Sequence, residues 1–134
     1  MGAGGESRTR PDIRPGLAAL GAVEIAIALF QVASPHAFYV HVGPFDVYNP
    51  HYVRDLATYG LALGAGLIMS VWRPSWRLPV LAITAAQFVL HTINHAVDVG
   101  AANPRWLGWA NLAALAASSA LVFWMLAVQL RSAR

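Results

Sequence analysis

The chain has 134 residues, of which 57% are hydrophobic and 11% charged, with a formal net charge of +3. Soluble domains carry about 25% charged residues, so this balance is that of a membrane protein. The absence of cysteine excludes disulfides, thiolate metal sites and thiol catalysis, and the basic residues, all nine of them arginine, are scattered at segment ends, which argues against nucleic acid as a partner.

Residues 1–14 are polar, glycine-rich and basic, and read as a disordered cytoplasmic tail. The first apolar run, Leu17 to Ala33, is longer than a signal-peptide core and ends without a small-x-small cleavage pattern. An uncleaved membrane helix over about 15–34 is expected, with Pro15 in its first turn and Ser34-Pro35 ending it. Glu24 falls near its middle, with Gln31 seven residues on along the same face. A carboxylate at that depth must be neutral, paired or turned to a polar interior.

Residues 36–50 read as an aromatic loop, with Phe38, Tyr39, Phe45 and Tyr48 suited to an interfacial belt and Gly43-Pro44 marking a turn. Asn49-Pro50 has the form of a helix cap and first helical position, opening a second span over about 51–72. His51, Arg54 and Asp55 lie in its first turns, Tyr59 follows Asp55 by four, and Gly60 and Gly64 form a GxxxG packing face. A basic turn, 73–77, leads to a third span over about 78–99. Gln87, His91 and His95 recur there every four residues on one helical face, with Asn94 and Asp98 beside them. The fourth span is expected over about 105–129, with Asn111 near its start and Ser118 and Ser119 within a run of small residues, followed by a basic tail at 131–134.

Each segment is about 20 residues, enough at about 1.5 Å per residue for a ~30 Å hydrocarbon core. The expected fold is all-α: a four-helix transmembrane bundle of residues 15–130. Arg8, Arg10, Arg14, Arg73, Arg77, Arg131 and Arg134 share one side, against Arg54 and Arg105 on the other, so both termini are expected in the cytoplasm. Arginine without lysine also fits the coding bias of a GC-rich bacterial genome, which makes the inner membrane the expected location.

This topology brings His51, Arg54, Asp55, Tyr59, Gln87, His91, Asn94, His95, Asp98 and Asn111 to the outer half, with Glu24 at mid-depth as the floor of an outward-facing polar pocket. Glu24, Asp55, His91 and His95 are expected to share one interior. His91 and His95, spaced i, i+4, could ligate a divalent metal, completed by Asp98, Asp55, His51 or Glu24. The run His-Thr-Ile-Asn-His lacks the catalytic Glu of a zinc protease. The plainer structural reading makes Arg54 and Asp55 a headgroup-level pair, and Gln87 and Asn94 interhelical hydrogen-bonding groups.

Gly43-Pro44-Phe45, Asn49-Pro50-His51, Arg54-Asp55, Gly60 and His91…His95…Asp98 together resemble a pattern in small four-helix bacterial membrane proteins of the broad DoxX-like group. The resemblance covers most of residues 15–129. It implies a four-helix integral membrane fold and carries over no catalytic residue. The expected function is to bind a metal or small ligand in the pocket, or to act as an accessory subunit of a larger membrane complex or homo-oligomer. The alternatives are an enzyme acting on a lipid or quinone-like substrate and a purely structural membrane subunit.

Overall fold

The computed structural model describes residues 11–132 and is all-helical over that range. Five helices follow one another: α1 (Arg14–Ala33), α2 (Pro35–His41), α3 (Pro50–Trp72), α4 (Pro74–Val97) and α5 (Arg105–Ser132). Four of them, α1, α3, α4 and α5, are long and apolar enough to cross a membrane. Many of their large side chains face outward, among them Leu29, Tyr59, Ile83, Leu90, Trp106 and Trp109. Such faces suit acyl chains, and the chain is a multi-pass membrane protein by this measure. The expected disordered tail falls largely on residues 1–10, and part of the basic tail on 133–134; both stretches lie outside the described residues.

Prolines set the helix boundaries. Ser34 precedes Pro35 and leaves the helical region (φ −143°, ψ 66°), so α1 stops and Pro35 starts α2. The stretch expected as a loop over 36–50 therefore begins as a seven-residue helix. Asn49 caps α3 through its side chain, accepting from the backbone N–H of His51 at 3.0 Å and of Tyr52 at 3.4 Å. Arg73, extended before Pro74, separates α3 from α4. The expected basic turn is thus a single residue, and 74–77 form the first turn of α4. Arg77 reaches back to the end of α3, donating to the carbonyls of Ser70 (3.0 Å) and Val71 (3.2 Å). A cation there satisfies terminal carbonyls and opposes the helix dipole.

α1 packs most extensively on α3, α4 packs on α5, and α3 meets α4, whereas α1 touches α5 only lightly. The α1–α3 contact is made by small residues. A Cβ at Gly64 would lie 2.9 Å from the Gly21 carbonyl oxygen, and one at Gly21 would lie 3.0 Å from the Gly64 oxygen. Ala28 and Ala57 are fully buried, and a Cβ at Gly60 would lie 3.2 Å from that of Ala28. Dispersion between closely approaching backbones is what holds helices together in lipid, where burial alone offers little.

The apolar core is gathered at one end of the bundle. Ile13, Leu17 and Leu20 of the first segment meet Leu67 of α3, Leu81, Ala85 and Phe88 of α4, and Val122 and Met125 of α5. This is the basic end of the bundle, the one that carries Arg14, Arg73, Arg77 and Arg131. Towards the opposite end lie α2 and the two longer connections, and the diagonal pairs α1/α4 and α3/α5 do not pack on each other. The space between them is the site.

Candidate functional site

The cavity has a volume of about 1050 Å³ and is lined from all four long helices and from the α2–α3 connection. Most of its wall is apolar. α1 contributes Glu24 near the helix midpoint and Gln31, which is only 4% exposed. α3 contributes Leu56, Tyr59 and Gly60, and α5 contributes Asn111, Leu115 and Ser118. Tyr59 and Ile83, both largely exposed, sit at its edge, so the cavity opens sideways between α3 and α4. Gly60 lies against the acid: a Cβ there would be in ordinary contact with Glu24 Oε2 at 3.8 Å.

The expected stripe on α4 is present and is hydrogen-bonded along its length. Gln87 Nε2 lies 3.4 Å from His91 Nδ1, and His91 Nε2 lies 3.1 Å from His95 Nε2. If the Gln87 amide donates, His91 must donate through Nε2 and His95 must carry its proton on Nδ1. Among the described residues two buried side-chain polar atoms are left without a partner, Gln87 Oε1 and His95 Nδ1. One marks each end of the chain. Thr92, on a neighbouring face, pairs with Ser119 of α5 at 3.0 Å, which ties the two helices together.

The α2–α3 connection lines the end of the cavity remote from the core, with Val47, 83% exposed, at its rim. Phe45 packs edge-on against the His95 ring at 5.0 Å between centroids. Asn111 of α5 donates to the Val42 carbonyl at 2.7 Å, and the Asn103 N–H donates to that of Pro44 at 3.2 Å. Tyr39 donates to the Asp46 carbonyl at 2.7 Å, holding Asp46 in a left-handed turn (φ 51°) that aspartate tolerates better than most residues. The aromatics expected as an interfacial belt thus pack on one another and over the polar stripe, with Tyr39 and Tyr48 at 5.3 Å and Phe30 and Phe38 at 5.9 Å.

Of the residues expected in the pocket, Glu24, Tyr59, Gln87, His91, Asn94, His95, Asp98 and Asn111 line the cavity. His51, Arg54 and Asp55 do not. They are exposed on the outer side of α3, where His51 Nε2 and Asp55 Oδ2 pair at 3.3 Å. Asp55 therefore does not share an interior with Glu24 and the two histidines. Lining residues that stood outside the expected pocket include Gln31, Tyr39, Phe45, Asp46 and Ser118. Gln31 carried a signal, seven residues from Glu24. The connection residues carried none, because only the folding back of the connection brings them over α4.

The two imidazole nitrogens stand at about the separation of two ligands on one metal, yet the expected third ligand does not join them. Among the described residues, no group of three His, Asp or Glu side chains is placed to hold a metal ion. His51 and Asp55 are engaged with each other instead. What the arrangement offers is a mostly apolar chamber with one carboxyl at its middle, a chain of hydrogen-bonding groups and a lateral opening. No protein family, curated protein or solved structure matches this chain.

Proposed function

We propose that this is a membrane protein that binds a membrane-soluble small molecule, one with an apolar body and a hydrogen-bonding head, in the cavity between its four long helices. The observation that carries the reading is the cavity itself. Its volume of about 1050 Å³ is in the upper range of small-molecule sites. Its polar groups are few and convergent, and two buried atoms beside it lack partners. Those groups suit the head of an amphiphile, and the opening between α3 and α4 gives entry from the lipid. The motif likeness to the DoxX-like group adds a four-helix membrane fold to this reading and no chemistry. In the proposed orientation the basic end faces the cytoplasm and the α2–α3 connection faces outward across the inner membrane.

Ser118→Trp places a large side chain in the cavity without adding charge. Native mass spectrometry of the detergent-purified protein should find a small molecule retained by the wild type. Occupancy should be about tenfold lower in the Trp variant at unchanged thermal stability, since filling a site excludes its ligand. A wild type that carries nothing, or equal occupancy in a folded Trp variant, overturns the reading.

A further inference from the structure

We infer that the ligand of this cavity is a cation with an apolar body, such as a lipophilic amine, held against Glu24; the inference rests on the cavity being a ligand site. The first observation is the sign of the charges. Among the described residues the cavity is lined by three carboxylate side chains, Glu24, Asp46 and Asp98, and by no arginine. Two of the arginines are engaged elsewhere: Arg14 pairs with Asp12 at 2.9 Å, and Arg77 is held on the last carbonyls of α3.

The second observation is that Glu24 has no ion-pair partner among the described residues, where the pairs are Arg14–Asp12 and His51–Asp55. A carboxylate inside a bundle at mid-membrane depth is tolerated when neutral or when a cation stands beside it. The two imidazoles do not take that part. Their Nε2–Nε2 hydrogen bond at 3.1 Å needs one of the two nitrogens bare, so the rings are not both protonated. A cationic ligand supplies the missing charge, whereas an anion would face Glu24 with no arginine in the cavity lining to offset it.

The walls and the mouth suit the same ligand. Tyr39, Tyr52, Tyr59 and Trp76 are among the side chains that line the cavity. The face of an aromatic ring attracts a cation. Gln87 Oε1, buried and unpartnered beside the cavity, is an acceptor suited to an N–H donor. Asp46 and Asp98 also line a second pocket of about 430 Å³ beside Phe45, which places negative charge at the end remote from the core. Charge so placed raises the local concentration of cations.

Three probes of similar bulk separate charge from apolarity: tetraphenylphosphonium, neutral triphenylphosphine oxide and tetraphenylborate. Equilibrium dialysis of the full chain in an uncharged maltoside, corrected for detergent alone, reads their binding. The phosphonium should bind about tenfold or more tighter than the oxide, a difference of about 1.4 kcal/mol, and the borate should bind weakest. Glu24→Gln should bring the phosphonium down to rank with the oxide. If the Gln variant does not fold, the ranking on the wild type decides alone. Oxide or borate bound as tightly as phosphonium overturns the charge inference and leaves the cavity as a ligand site. Failure of all three to bind the folded wild type overturns both.

Discussion

Gly64→Leu should destabilise the bundle by roughly 3 kcal/mol or more, at or beyond the upper end of what overpacking costs. The usual cost is about 1–3 kcal/mol, where side chains can shift to make room. At Gly64 the obstacle is largely backbone. The first added atom would already lie 2.7 Å from Ile25 Cγ1, 2.9 Å from the Gly21 carbonyl oxygen and 3.1 Å from the Ile25 nitrogen. α1 and α3 would have to separate, and with them Ala28, Ala57 and Gly60. Gly100→Leu is the matched control, because a Cβ there meets nothing within 4 Å. Thermal unfolding in detergent should show a large drop for the first variant and little change for the second. Equal melting of both would mean that the α1–α3 seam does not hold the fold.

His91→Leu should cost about 1–3 kcal/mol, because it strips partners from two neighbours at once. Gln87 loses its contact at 3.4 Å and His95 Nε2 loses its contact at 3.1 Å, in a place where Gln87 Oε1 and His95 Nδ1 already lack partners. His95→Leu should cost less, since His91 keeps Gln87. The double variant should cost less than the sum by more than about 0.5 kcal/mol, the signature of residues in contact. Strict additivity would show that the two rings do not bond. Glu24 and His91, expected from the sequence to share one interior, both line the cavity with no hydrogen bond or ion pair between them. The sharper cycle is therefore the one within α4.

The four spans, the Asn49-Pro50 cap and the Gln87–His91–His95 stripe were legible because each is a local pattern. Hydropathy, capping and i, i+4 spacing need no partner to be read. The small-residue seam was legible by half. Gly60 and Gly64 announce a packing face, but Gly21 and Ala28 on α1 are ordinary small residues in an apolar run until α3 is laid against them. His51, Arg54 and Asp55 show what depth alone does not decide. The packed face of α3 is set by Ala57, Gly60, Gly64 and Leu67. At about 100° per residue, Asp55 lies on the far side from Ala57, so the right depth came with the wrong face. The start of α4 was displaced by reading two arginines as a turn, when Arg77 instead caps the helix before it.

The most direct measurement is thiol labelling of single-cysteine variants, which the cysteine-free chain makes clean. A membrane-impermeant maleimide reacts only where water supports a thiolate. Ser118 lines the cavity, Ala116 lies two residues away on the exposed apolar side of the same helix, and Val47, 83% exposed, marks the α2–α3 connection. In right-side-out vesicles, Val47→Cys and Ser118→Cys should label from outside and Ala116→Cys should not. Ser118→Cys as unreactive as Ala116→Cys, in vesicles where Val47→Cys labels fully, would contradict a cavity open to the outer face at the heart of the bundle.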